Sequence, residues 1–289
     1  MRERAGNVFL VLSVVVILGV TALLDQVMFY RCDFAPDSEL ILYKFDYREP
    51  CKLTEAEQKE LRRLLRYSLK IPVNPQQFYP EYFITYSNSA GEARRLYILR
   101  SARIGWDDNG QALTLNSRLC RLLDNPIINL ENAIDQRYGE LIHWDQAQHI
   151  LAMYDRALVT DVDTGRSFWV QRRGGSKHAD VQPLTARDTH IMKAIYNGKW
   201  SWDRRAVIVS SRNRRVAASM NGMPHGAGAI KDNDFDGHFC IHFYASRTHG
   251  GNRVDERHQN MVLKAAGLIE GAKLLPGTVK KTVQDDGGR

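Results

Sequence analysis

An uninterrupted apolar segment near the amino terminus constrains this chain more than any other feature. Residues 8–24 form a run of 17 apolar or small side chains without a charge, which is just long enough to cross a bilayer. Arg2 and Arg4 precede the run, as the positive-inside rule requires for a cytoplasmic amino terminus. The sequence therefore predicts that residues 1–30 are a signal anchor of a single-pass protein of the cell membrane, with the bulk of the chain extracytoplasmic.

Three other interpretations of this segment agree less well with its sequence. A cleaved signal peptide has an apolar region of about 7–15 residues and ends in a small-x-small site. Here the run is followed directly by Asp25, and the residues before Cys32 are Phe29, Tyr30 and Arg31, which lack the small side chains of a lipoprotein signal. A core helix at the amino terminus of a globular domain would have a polar face, and this run has none.

The composition predicts a folded protein with a basic surface. Hydrophobic residues make up 44% of the 289 residues and charged residues 25%, which is typical of globular domains. The net charge is +7, but the basic residues are spread along the chain, so we expect no nucleic-acid partner. On an extracytoplasmic protein this charge is compatible with anionic wall polymers, with phospholipid headgroups or with a solvated face that has no partner.

The four cysteines lie in different sequence contexts. Cys32 and Cys51 bracket a short strand-like segment, and a disulfide between them is one possibility in an exported protein. Cys120 lies in a helical pattern typical of a buried free thiol. Cys240 is the one cysteine in a polar, histidine-rich setting, so we treat it as the candidate for chemistry, with a small core residue as the structural alternative.

The sequence predicts that the remaining chain consists of two further parts and a tail. Residues 31–150 show strand patterns, a capping box at Thr54 and Glu57, and helical patterns, which together predict a small α+β module. Residues 151–275 are rich in strand patterns separated by turns and predict a mostly β domain. Residues 276–289 predict a disordered tail. The predicted fold class is α+β, with a transmembrane helix preceding both parts.

Cys240 stands between two histidines in the sequence Gly-His-Phe-Cys-Ile-His, and His225 precedes it by 15 residues. A thiol needs a base within hydrogen-bond reach to become a nucleophilic thiolate. On a strand, residues two apart project to the same face, so His238 would lie beside Cys240. The segment is therefore a candidate active site.

This pair of elements, Pro224-His225-Gly226 and Gly237-His238-Phe239-Cys240-Ile241-His242, resembles the catalytic signature of the YkuD-type L,D-transpeptidases. The resemblance covers about residues 157–249 and implies a mostly β catalytic domain that acts on peptidoglycan stem peptides by acyl transfer. It implies that Cys240 is the nucleophile, that His238 is its base and that His225 lines the substrate pocket. The stretch 220–255 is also similar to uncharacterised wall-associated proteins of Gram-positive bacteria.

The chain departs from that signature at three positions. Gly237 stands where the family has Ser or Thr, Phe239 where it has Gly, and His242 where an Arg is usual. Arg247 is a candidate to replace that cation, because a guanidinium pairs with a carboxylate through two hydrogen bonds. The expected substrate-binding residues are therefore Gly226, Gly237, His242, Arg247 and His249.

Two alternative functions use the same region. The histidines could bind zinc in a wall peptidase or amidase, with a ligand set drawn from His178, Asp180, His238 and His242 and completed by Cys240 or Asp236. The cysteine mechanism needs no cofactor. A domain that kept the fold and lost the chemistry would be a wall-binding ectodomain. In all three cases the expected partner is peptidoglycan and the expected attachment to the membrane is through residues 8–24.

Overall fold

The computed structural model describes residues 29–269, and these divide into two compact units. Unit 1 contains residues 29–45 and 49–131, and unit 2 contains residues 46–48 and 132–269. The predicted anchor segment 8–24 and the predicted tail 276–289 lie outside the described residues. Among residues 29–269, no helix combines the length and apolar character needed to cross a membrane.

Unit 1 combines a six-stranded antiparallel sheet with helices. The strands lie in the order β2-β1-β3-β4-β5-β6. Their bounds are β1 Ile41–Lys44, β2 Pro50–Lys52, β3 Tyr82–Ser87, β4 Ala93–Leu99, β5 Ile104–Asp107 and β6 Ala112–Thr114. Helix α1, Glu55–Leu65, begins at the predicted capping box, in which the Thr54 side chain accepts from the amide of Glu57 and the Glu57 carboxylate accepts from that of Thr54. A short 3-10 helix covers Pro75–Gln77.

The last residues of the predicted anchor belong to unit 1. Phe29 forms a β-bridge with Leu69, and Tyr30 is almost fully buried and donates a hydrogen bond to Asp107. The boundary predicted at residue 30 is therefore too late, because Phe29 pairs through its backbone and the Tyr30 side chain is buried in this unit. Cys32 and Cys51 are both free thiols, as are Cys120 and Cys240.

The second boundary also lies earlier than the sequence pattern indicates. It falls between Glu131 and Asn132, inside helix α2, Ser117–Arg137, instead of at residue 150. The reason is that helix α3, Trp144–Ile150, buries Trp144, Ala147 and Ile150 in the core of unit 2.

Unit 2 is a closed six-stranded barrel with two further helices. The strands are β7 Arg156–Asp161, β8 Ser167–Gly174, β9 Ala179–Pro183, β10 Ser201–Ser211, β11 Arg214–Gly222 and β12 Phe239–His242, in the order β10-β11-β12-β9-β8-β7. Helix α4, Ala186–Ile195, follows β9, and helix α5, Glu256–Ala265, follows β12. The strands agree with the predicted mostly β character of this part of the chain.

The barrel has an apolar interior because its strands alternate. Phe168 and Val170 of β8, Ala179 and Val181 of β9, and the odd-numbered residues of β12 all belong to one buried cluster. The residues between them face the opposite way. On β10 and β11 that outer face carries Ala206 and Ala217, against which helix α5 packs through Val262 and Ala265.

Two adjacent residues of β8 test this assignment of faces. We expect Phe168→Ala to lower the free energy of unfolding by about 3–5 kcal/mol, since it leaves a cavity among buried side chains. Trp169 is its neighbour on the opposite face and is 48% exposed. Trp169→Ala should therefore change the free energy of unfolding by about 0.5 kcal/mol or less. Chemical denaturation of the full chain measures both, and equal effects would contradict the barrel register.

Candidate active site

The alternation of β12 separates its four residues into two environments. Phe239 and Ile241 enter the apolar barrel interior, so Cys240 and His242 project from the outer face. There Cys240 lies opposite Asp180 on β9, and His242 lies opposite Ser219 on β11. Both Cys240 and His242 are nevertheless buried, because the loop after β12 and helix α5 cover this face.

His225 is the histidine that contacts the thiol. Its Nε2 lies 3.3 Å from Cys240 Sγ, and its Nδ1 donates to the carbonyl of Met223 at 2.8 Å. Because a carbonyl only accepts, this second bond fixes the proton of neutral His225 on Nδ1 and leaves the Nε2 lone pair directed at the thiol. The arrangement is that of a nucleophile and its base.

His238 has a different place from the one expected for the base. Its peptide pairs with that of His225 in an antiparallel bridge just before β12 begins, so the same-face rule does not apply to it. Its Nδ1 donates to the carbonyl of Ala227 at 3.0 Å, and its Nε2 lies 3.9 Å from Asp180 Oδ1. The structure therefore brings His225 to the thiol where His238 was expected, and the His238 ring packs 4.6 Å from that of His225.

Gly226 and Gly237 make this bridge possible. Gly226 has a φ of +63°, and a β-carbon there would lie 2.4 Å from His238 Cε1. Gly237 has a φ of +101°, and a β-carbon would lie 2.4 Å from the carbonyl oxygen of His225. Because they lack a β-carbon, both glycines allow the two histidine segments to approach closely. Their role in the structure is therefore to position the histidines, whereas the sequence predicted contact with substrate.

His178 and Asp180 form a buried polar pair next to the thiol. His178 Nδ1 donates to the carbonyl of Arg247 at 2.8 Å, and its Nε2 lies 3.2 Å from Asp180 Oδ1. Burial by itself would lower the pKa of His178, but Asp180 and Cys240 raise it to about 10. Burial would raise the pKa of Asp180, but His178 and His249 lower it to about 2. At neutral pH this pair therefore consists of an imidazolium and a carboxylate.

The two imidazoles near the thiol favour its ionised form. Burial opposes ionisation of Cys240, but His178 and His225 outweigh that effect and lower the pKa of the thiol below its ordinary value. The contact with Cys240 likewise raises the pKa of His225, against the effect of burial. The site is thus arranged to hold a thiolate beside a protonated histidine.

A column of stacked imidazoles continues behind the thiol. The His242 ring lies between His178, at 4.3 Å, and His258 of helix α5, at 3.9 Å, and all three rings are buried. His258 Nδ1 is 2.9 Å from the Ser219 hydroxyl. Burial lowers the pKa values of His242 and His258, and neighbouring cationic side chains lower them further, so both are neutral.

Sequence reasoning missed His258 and Ser219, because each is a single polar residue in an otherwise ordinary helix or strand. Nothing local distinguishes them, since their roles arise from the packing of α5 on the barrel. A histidine at the third position of a helix that begins after Asp255 gives no signal beyond ordinary capping.

The loop after β12 brings the last two expected residues to the rim. His249 Nε2 lies 3.3 Å from Asp180 Oδ1, and half of its side chain is exposed. Arg247 is exposed, and its Nη1 donates to the carbonyl of Asn252 at 3.0 Å. Both side chains are therefore accessible to solvent, and His249 contacts the carboxylate that lies opposite Cys240.

Two groups of side chains within residues 29–269 have the geometry to hold a metal ion. One consists of His178, Cys240 and His242, and the other of His178, Asp180 and His249, each with its ligand atoms within 4.8 Å of one another. His238 belongs to neither group. The ligand set expected from the sequence is therefore revised, with Cys240 or His249 in the place of His238.

Comparison of the chain with protein-family models, with curated proteins and with solved structures found no match.

The reactivity of individual thiols tests the electrostatics of the site. Because the thiolate is the reactive form, the alkylation rate of Cys240 should rise to half of its maximum at a pH below 9.0, the ordinary value. Burial raises the pKa of Cys32 to about 11, so Cys32 provides an internal comparison with a later midpoint. Peptide mapping of the full chain after brief exposure to iodoacetamide measures both, and coincident midpoints would contradict the assignment.

The close approach at Gly237 gives a second test. In Gly237→Ala the new methyl group meets the His225 carbonyl and the positive φ is strained, at a cost of about 1–3 kcal/mol, so His225 should shift and alkylation of Cys240 at neutral pH should slow. A β-carbon at Gly250 meets no atom within 4 Å, so Gly250→Ala should leave the rate unchanged. If Cys240 were alkylated at the wild-type rate in both variants, the claim that Gly237 positions His225 would be contradicted.

Proposed function

We propose that this protein is a cysteine acyltransferase that acts on peptidoglycan stem peptides, like an L,D-transpeptidase. The observation that supports the proposal most is the 3.3 Å contact between Cys240 Sγ and His225 Nε2, with the tautomer of His225 fixed by Met223. The resemblance of the sequence around His225 and Cys240 to the YkuD-type signature supplies the substrate class. The proposed base is His225.

The first half of the reaction forms an acyl-enzyme. His225 Nε2 takes the proton of Cys240, and the thiolate attacks the carbonyl carbon of a stem-peptide bond. The S–C bond forms, and the carbonyl electrons move to oxygen. When they return, the C–N bond breaks, and the leaving amine takes the proton from His225. The products are a thioester on Cys240 and a free peptide fragment.

The second half transfers the acyl group. His225 Nε2, neutral again, accepts a proton from an incoming amine, which attacks the thioester carbonyl. The new C–N bond forms and the S–C bond breaks, so the electron pair returns to sulfur and the proton on His225 restores the starting pair. Water in place of the amine gives hydrolysis by the same steps.

His178 and Asp180 assist by charge and not by proton transfer. The imidazolium of His178 is held 3.2 Å from a carboxylate and lies beside Cys240, which favours the thiolate before substrate arrives. Its raised pKa of about 10 makes it a poor proton acceptor at neutral pH. This leaves His225 as the exchanging group and His178 as a positioning and electrostatic residue.

The exposed rim fits a polar, partly anionic peptide. Arg247 and His249 lie exposed on the loop after β12, and Trp202, half exposed, packs 5.1 Å from the His225 ring. A guanidinium suits the carboxylates that stem peptides carry. The ring of Phe239, which stands in place of the family glycine, packs inside the barrel against Phe168 and Phe235, on the face of β12 opposite Cys240.

The proposed location rests on the sequence. Residues 8–24 would anchor the protein in the cell membrane with the amino terminus in the cytoplasm, which leaves both units on the side of the wall. A catalytic domain close to the membrane surface would reach newly made peptidoglycan.

Mass spectrometry of muropeptides incubated with purified protein tests reaction and residues together. Cys240→Ala should abolish product, and His225→Ala should lower the rate by about 10²–10⁴-fold, the usual contribution of a general base. His190→Ala, at an exposed position of helix α4, is the matched histidine control and should react like the wild type.

The alternatives predict other results. Product patterns that are identical for Cys240→Ala and wild type would refute the enzymatic proposal. If, in addition, the variant still bound wall sacculi, a wall-binding ectodomain would be favoured. An equal loss in His238→Ala and none in His225→Ala would return the role of base to His238.

A further inference from the structure

One buried imidazole nitrogen at the site has no polar partner. It is Nδ1 of His242, a residue that is 2% exposed. Nε2 of His178, equally buried, makes an ion pair with the Asp180 carboxylate at 3.2 Å but completes no hydrogen bond with it. Buried polar atoms are partnered in the great majority of cases, so His242 Nδ1 calls for an explanation, and an ion is one of the usual ones.

The thiol of Cys240 belongs to the same cluster of side chains. One ligand atom from each of His178, Cys240 and His242 lies within 4.8 Å of the others. Two imidazole nitrogens and one thiolate are the donors that Zn²⁺ prefers, and three protein ligands leave a fourth position open. The proposed acyl transfer does not use His242, and the rings stacked on either side of it offer no hydrogen bond to its Nδ1.

The surroundings orient both histidines for coordination, although His178 must lose its imidazolium proton when a metal binds. Because His178 Nδ1 donates to the Arg247 carbonyl, its Nε2 is the atom left for a metal. Such a bond from the second ring nitrogen fixes the orientation of metal-binding histidines. The His242 ring is clamped between His178 and His258, so it is positioned before any ion arrives.

We propose that His178, Cys240 and His242 form a binding site for a zinc ion, and that the bound ion holds the enzyme in an inactive state. Binding releases the protons of the thiol and of the His178 imidazolium to solvent, and a Zn–S bond takes the place of the S–H bond. That bond occupies the electron pair with which Cys240 would attack a carbonyl. The inhibitory part rests on the proposed function, whereas the binding part does not.

His225 lies outside the ligand set, although it contacts the same sulfur. Its Nε2 approaches Cys240 from the bridge before β12, and its Nδ1 is bonded to Met223. Loss of His225 removes the base but leaves all three ligands in place. The two histidine variants, at positions 225 and 242, therefore separate catalysis from metal binding.

Cobalt titration of the full chain tests the binding part, with Co²⁺ as a spectroscopic substitute for Zn²⁺. The wild type should show a thiolate-to-cobalt charge-transfer band that saturates at one ion per chain and is lost on addition of Zn²⁺. His242→Gln, which keeps a polar side chain of similar size, should weaken binding by at least about tenfold, as should His178→Gln. His225→Gln and His190→Gln should bind as the wild type does.

Circular dichroism of each variant establishes that it is folded, and the two unaffected variants provide the comparison. A missing charge-transfer band in the wild type, or equal affinity in folded His242→Gln, would overturn the site. The metal-free protein, prepared with a chelator, is then assayed on muropeptides and by alkylation before and after addition of Zn²⁺.

Zinc should slow the alkylation of Cys240 at least about tenfold at saturation and stop muropeptide turnover, and a chelator should restore both. Unchanged alkylation, or turnover that increases with zinc, would overturn the inhibitory state. A metal-free protein that binds cobalt but has no muropeptide activity would refute the proposed function while leaving the metal site intact.

Discussion

The alternation of strand β12 is the constraint on which the rest of the site depends. Its odd residues fill an apolar barrel, so its even residues, Cys240 and His242, must leave the barrel on the outer side. A one-residue slip would turn Cys240 and His242 into the apolar interior and Phe239 and Ile241 to the outer face. The barrel core is thus what places a thiol in a polar layer under the loop after β12.

The chemistry of this polar layer follows from unequal surroundings of similar side chains. His178 has Asp180 beside it and is charged, whereas His242 and His258 have other cations nearby, lie buried and are neutral. His225 is only half buried and contacts the thiol, so it is free to exchange a proton. The four imidazoles therefore differ in charge and in their ability to exchange a proton. The Asp180 carboxylate accounts for much of this difference, because it lies beside His178.

The sequence predicts the parts of this picture that depend on short-range patterns. The capping box at Thr54, the predominance of strands after residue 151 and the singular context of Cys240 follow from spacing and composition. The role of His238 does not, since the same-face rule assumes a strand that in fact begins one residue later, at Phe239. His258 and the boundary at Glu131 depend on helices that pack on the barrel from distant parts of the chain, which no local pattern encodes.

The central claim, that Cys240 carries an acyl group during the reaction, is tested most directly by trapping that intermediate. Intact-protein mass spectrometry of the full chain, quenched in acid within the first turnovers on a stem-peptide substrate, should show an added mass equal to the acyl fragment. Peptide mapping should locate this mass on Cys240, and hydroxylamine should remove it, as expected of a thioester. Product formation without any adduct, or an adduct on another residue, would contradict the account.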